Sequence, residues 1–157
     1  MLTKDVQTYL DKSMLCWLAT VDGNHCPNVS PKELFRSVNK DTLVIAHIAS
    51  PQSVQNIQQN SQVCVSFVDV FVQKGYKLKG QARVVEAPEE AYQEYLALFQ
   101  EEYGTAFPMA AFIVVKIMAV APILAPSYTF YPETEEQEQI KNALEAYRIK
   151  ALLKEVD

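Results

Sequence analysis

Two short segments carry the residue types that could receive a charged ligand: Asn28-Val29-Ser30-Pro31-Lys32 and Ser50-Pro51-Gln52-Ser53-Val54-Gln55-Asn56. Serine followed by proline reads as a helix start, with Ser50 at the cap and Pro51 at the first helical position. A helix start presents unpaired N–H groups and the positive end of the helix dipole, which together favour an anion. Hydroxyls from Ser50 and Ser53 would add donors, and Lys32 a point charge. That set suits a phosphate monoester. The same residues also have a plainer explanation, in which Ser50 only caps its helix and Lys32 only meets water.

Other candidates are weaker. Lys77, Lys79 and Arg83 fall at alternate positions and form a cationic strip with steps of roughly 7 Å. Water is its expected neighbour, because edge strands carry lysine to discourage pairing. His47, mid-strand between Ala46 and Ile48, reads as a hydrogen-bonded structural residue, since no acidic partner stands near it in sequence. Cys16 and Cys64 fall in strands as small apolar residues, and Cys26 lies beside a turn. Two histidines and no H-E-x-x-H pattern argue against a metal site. No G-x-S-x-G context exists, so no catalytic residue is assigned. The four glycines, Gly23, Gly75, Gly80 and Gly104, match neither a dinucleotide-binding nor a P-loop spacing.

Bulk properties narrow the class. A chain of 157 residues predicts one domain over 1–157. With 14 basic and 19 acidic side chains the net charge is −5, which argues against a general nucleic-acid binder. Residues 1–80 hold 8 basic and 6 acidic side chains, whereas 81–157 hold 6 and 13. The first half can therefore house an anion, and the acid of the second half belongs on solvated helices. Three cysteines without a C-x-x-C pair fit a reducing compartment. The N-terminus lacks a signal-peptide core, and the apolar run Phe112 to Pro126 is too short to span a bilayer and contains Lys116 and Pro122. The expectation is a cytoplasmic protein with no membrane partner.

Hydropathy periods supply the elements that must hold these residues. Thr3 to Ser13 predicts a helix with Val6, Tyr9 and Leu10 on one face and Thr3 as cap. Strands follow over Leu15–Val21, Pro27–Phe35, Leu43–Ala49, Gln62–Val70, Gln73–Val85 and Phe112–Leu124. Asp22-Gly23 predicts a hairpin turn, and Pro27 and Pro31 confine the second strand to an edge. Helices are expected over Pro51–Gln59, Pro88–Tyr103 and from Thr134, as N-cap with Gln137 in a capping box, to about Lys150. The last should bury Ile140, Leu144, Tyr147 and Ala151. Before it, Pro126–Pro132 is an aromatic segment that needs a surface to dock on. The sum is an α+β fold, a six-stranded antiparallel barrel with peripheral helices and a C-terminal helix, residues 127–157 forming the docking tail.

Leu18-Ala-Thr-Val-Asp-Gly23 followed by Pro27-Asn-Val-Ser-Pro-Lys32 closely resembles the first hairpin of the FMN-binding split-barrel family, the pyridoxamine 5′-phosphate oxidase-like flavoproteins. The similarity continues through Leu43-Val-Ile-Ala, Ser50-x-x-Ser53-x-x-Asn56-Ile57, Val63-x-Val65-x-Phe67 and Gly75-Tyr-Lys-Leu-Lys-Gly80, and into Pro126-x-Tyr128-x-x-Tyr131-Pro132. It implies a split barrel and a homodimer with FMN at the subunit interface. The phosphate would lie where Lys32 and Ser53 fall, with the loop from Ser50 through Gln52 to Asn56. The flavin ring would lie along Asn28, Val29 and Ser30 and along Ala46, His47 and Ile48. The chain departs from the family at Gln52, where relatives commonly place a lysine, and it lacks the arginine-rich pattern of a pyridoxamine phosphate oxidase. The resemblance implies a flavin-dependent oxidoreductase acting on a small molecule. The alternatives are a noncatalytic flavin carrier or sensor, or a split barrel binding haem or a deazaflavin.

Overall fold

Thr3 opens the first element as its side chain requires: its hydroxyl accepts the Val6 N–H at 3.3 Å and caps α1 (Lys4–Lys12). The structure, a computed structural model, describes residues 1–149, 152 and 153. In chain order come β1 (Cys16–Val21), β2 (Pro27–Lys32), β3 (Phe35–Asn39), β4 (Thr42–His47), α2 (Pro51–Gln59), β5 (Gln62–Asp69), β6 (Lys74–Glu86), α3 (Glu90–Tyr103), β7 (Ala111–Leu124), α4 (Pro126–Phe130) and α5 (Glu136–Ala146). Among these residues the strands form one sheet of seven, in the order β2-β1-β5-β6-β7-β4-β3, antiparallel throughout.

The seventh strand corrects the expected six. The run read as one strand from Pro27 to Phe35 breaks at Glu33-Leu34, and Phe35–Asn39 pairs with β4 at the opposite end of the sheet. Only two residues join these outer strands, and three peptide steps reach about 10 Å. The sheet must therefore curl until its two edges meet, which makes it a barrel split along one seam. The Leu34 carbonyl, inside that crossing, accepts the Ala46 N–H of β4 at 3.0 Å. β2 is an edge strand, as Pro27 and Pro31 require.

Two apolar clusters hold the barrel. Leu18, Val65, Phe67, Leu78, Leu43, Ile45, Ile113 and Val115 fill its interior, with Val6 and Leu10 of α1 and Ile57 of α2 packed against them. Val44, Ala46, Val85 and Phe112 point the other way and meet Phe99 of α3. β4 is buried on both faces for that reason, which explains its unbroken apolar run. Gly80 marks a close approach: a Cβ there would collide with the Lys116 carbonyl, where the β6–β7 register shifts.

Several local expectations change. The β1–β2 turn takes its positive φ at His25 (65°) rather than at Gly23, while the Asp22 carboxylate accepts the Asn24 and Cys26 N–H groups, each at 2.8 Å. Lys77, Lys79 and Arg83 face solvent, but β6 is an inner strand, so their exposure comes from the sheet's uncovered face and not from an edge. The cap of α5 is Glu135, because the Thr134 hydroxyl donates to the Ser127 carbonyl at 3.3 Å instead. α5 buries Gln139 and Ala143, leaving Leu144 and Tyr147 exposed and Ile140 half-buried. Polar contacts set that rotation: Lys74–Glu136 at 2.7 Å, Gln139 donating to Ser127 Oγ at 2.9 Å, and Tyr128 Oη donating to the Val72 carbonyl at 2.8 Å. Lys150 and Ala151 lie outside the described residues. Among the described residues no helix is long and apolar enough to cross a membrane.

Candidate functional site

β2 alternates, so Asn28, Ser30 and Lys32 share its inner side while Val29 and Pro31 point outward. The inner side meets α2, and polar side chains stitch the two together. Ser30 Oγ and Ser53 Oγ lie 2.9 Å apart. Asn56 Nδ2 donates to Thr20 Oγ1 at 3.0 Å, Asn28 Nδ2 reaches the same oxygen at 3.4 Å, and Gln52 Nε2 donates to Asn56 Oδ1 at 2.7 Å. Ser53, Asn56 and Thr20 are fully buried, so this network is a strut that fixes where α2 begins.

What it positions is a cleft of ≈ 290 Å³ at the barrel seam. Ser30, Pro31 and Lys32 of β2, Glu33 and Leu34 of the crossing, Ala46, Ile48, Ala49 and Ser50 line it, together with Phe107; the Glu33 carboxylate is exposed and makes no ion pair with Lys32. Of the residues named from sequence, Ser30, Lys32, Ala46, Ile48 and Ser50 therefore come together at one opening. Asn28, Gln52, Ser53 and Asn56 stand behind it as the strut. Val29 faces away, on the outer surface of the sheet, and His47 ends β4 rather than standing mid-strand.

Two electrostatic features distinguish the opening. Lys32 is only 7 % exposed, and among the described residues it has neither an ion pair nor a side-chain hydrogen bond. Burial pulls its amine below the usual lysine range, against a weaker opposing pull from the Cys16 thiol. The second feature is Ser50. It occupies the cap position of α2 yet makes no side-chain cap bond, and its hydroxyl lies 3.3 Å from His47 Nδ1. Capping alone does not account for this serine. Burial first, and the Lys32 charge second, hold His47 below the ordinary histidine value, so its ring is neutral at pH 7. The Cys16 thiol, pushed up to about 12 by burial, stays protonated.

Pro31, Glu33, Leu34, Ala49 and Phe107 line the cleft without being named from sequence as site residues. The signal for Leu34 is invisible before the seam closes. Phe107 had one, a large aromatic directly before Pro108 in a segment without hydrophobic period.

A curled antiparallel sheet with a buried, unpaired cation in its seam defines a split-barrel protein with a cleft able to receive an anion. The sequence model of a family described as Pyridoxamine 5'-phosphate oxidase matches residues 2–123, and the chain belongs to that family. Solved structures agree on the fold. One titled a putative pyridoxamine 5'-phosphate oxidase, from Lactobacillus delbrueckii, is 25% identical with a TM-score of 0.66, covering 76% of this chain and 93% of its own. An FMN-binding protein from Syntrophomonas wolfei is 16% identical with a TM-score of 0.66, covering 79% and 87%. HutZ, the heme storage protein of Vibrio cholerae, is 18% identical with a TM-score of 0.63, covering 78% and 94%. No curated protein matches the chain. The fold thus serves both a flavin-binding and a haem-storing relative.

Proposed function

We propose that the seam cleft binds FMN and that the protein is a flavin-dependent oxidoreductase acting on a small molecule. The observation that carries this reading is Lys32, a lysine only 7% exposed with no counter-ion among the described residues. Burying an unpaired charge costs free energy that a bound anion offsets, so the fold carries an unmet demand for negative charge at that point. Ser50, free of capping, and Ser30 supply hydroxyl donors beside it. Ala46, Ile48 and Ala49 supply an aliphatic wall against which a flat ring can lie. Bound FMN would supply hydride or electron transfer; the chain's own residues anchor the phosphate, align the ring and exclude water from one face.

In place of the family's lysine, Gln52 turns inward to Asn56, so Lys32 carries the phosphate charge alone. The haem reading has less to stand on. The chain's two histidines are His25, at the exposed tip of the first hairpin, and His47, whose Nδ1 already faces Ser50. An absorption spectrum of the purified protein separates the readings, with flavin bands expected and a Soret band overturning the proposal. Turnover of reduced nicotinamide then separates an enzyme from a carrier.

A second copy of the chain completes the site in this reading. The cleft, at ≈ 290 Å³, falls just below the roughly 300–1,000 Å³ that ligand sites occupy. Beside it the outer face of β1 and β2 exposes Trp17 and Val29, at 46% and 59%. A homodimer covers that face and walls the cleft. Light scattering should give twice the 17.7 kDa chain mass, and a monomer at micromolar concentration overturns this part.

The phosphate contact has its own test. Lys32→Ala should remove about 1.5–3 kcal/mol and weaken FMN about 10- to 150-fold, measured by fluorescence titration of apo protein. Riboflavin, lacking the phosphate, should bind wild type weakly and barely respond. Lys77→Ala, on the solvent face of β6, should leave FMN affinity unchanged. Equal FMN affinity in wild type and Lys32→Ala removes Lys32 from the site.

A further inference from the structure

Phe107 is a large aromatic that the fold leaves 52% exposed, and it leans on the same cleft as Lys32, Ser30 and Ser50. It belongs to residues 104–110, which join α3 to β7 without regular structure. This connection is not loose where it matters. Met109 is buried in the cluster beneath α3, its carbonyl accepts the Tyr92 hydroxyl at 2.7 Å, and the Ala110 N–H donates to the His47 carbonyl at 3.0 Å. Pro108 disfavours the helical region for Phe107. The chain thus anchors the Met109–Ala110 peptide two residues after Phe107, while the ring itself belongs to neither apolar cluster.

An exposed aromatic held at the mouth of a cleft offers a face on which a flat ligand can stack. The same cleft is lined by Ala46, Ile48 and Ala49, which present aliphatic surface but no other aromatic ring. Resting on the proposed FMN reading, we infer that Phe107 is a positioning residue that covers the planar ring system of the bound flavin and keeps water from that face. Lys32 and Phe107 then divide the ligand between them: the lysine reads the phosphate, the phenylalanine reads the ring.

The division makes the test specific. Stacking contacts of this kind change affinity about 10-fold when the aromatic is truncated. Phe107→Ala should weaken FMN and riboflavin by the same factor of about 10 and shift the visible absorption envelope of bound flavin toward that of free flavin. Phe107→Tyr should restore both affinity and spectrum. Because the ring is half exposed, the melting temperature of Phe107→Ala should stay near wild type. Unchanged affinity for both flavins with an unchanged spectrum overturns the inference while leaving the FMN reading intact. A loss confined to FMN overturns it as well, because the contact would then be to the phosphate. Wild-type protein that binds neither flavin overturns the FMN reading and this inference with it.

Discussion

The hydroxyls of Ser30 on β2 and Ser53 on α2 lie 2.9 Å apart, and Ser53 is wholly buried. One hydrogen bond therefore ties the cleft-lining strand to the helix that begins beside the cleft. Neither segment can shift its polar groups without breaking it, so geometry at the candidate anion site is inherited from this contact.

Ser53→Ala should destabilise the protein by about 1 kcal/mol, the usual net worth of such a bond. Ser30→Ala should cost a similar amount, and the double variant little more than either single one, giving a coupling of about 0.5–1 kcal/mol in urea unfolding. Fully additive losses would show that the two hydroxyls do not share a bond.

Lys32 predicts an opposite effect on stability. Burial lowers its pKa in the folded chain relative to the unfolded one. Between that lowered value and the ordinary 10.5 the unfolded state binds more protons, so stability should rise as pH climbs through this window. Below the window the folded protein carries the whole cost of the buried charge. Lys32→Met should therefore raise the melting temperature of apo protein at pH 7, by about 3 °C for about 1 kcal/mol, and shrink that advantage toward pH 11. A lower melting temperature at pH 7 would mean the charge is already compensated.

The rotation of α5 is testable through neighbouring residues. Ala143 is 2% exposed and Leu144 39%. Ala143→Asp should free the tail, costing about 2 kcal/mol of local stability and speeding proteolytic clipping after residue 126 severalfold. Leu144→Ser should change clipping by less than about twofold. The reverse ranking would restore the face that the hydrophobic stripe suggests.

Sequence reading and structure agree where a short-range rule has no competitor. Thr3 caps α1, Pro51 opens α2 at its first helical position, and Gly104 with φ of 76° closes α3, because these preferences are settled within a few residues. Pro27 and Pro31 place β2 at an edge, since a proline has no N–H to give a second neighbour. Ser30, Lys32, Ala46, Ile48 and Ser50, grouped by the family resemblance, line one opening, although that meeting depends on the closed barrel and not on a local rule.

Tertiary contacts decided the rest. Seven strands replaced six because closing the barrel forces a break at Glu33-Leu34, a demand that no local propensity expresses. The face of α5 went to Gln139 and Ala143 because Glu136 found Lys74 and Gln139 found Ser127, partners distant in sequence for which apolar periodicity carries no signal. The burial of Lys32 without a counter-ion also depends on what surrounds it in space. A lysine in sequence is a solvated charge by default, and only the curled sheet leaves this one 7% exposed with no ion pair among the described residues.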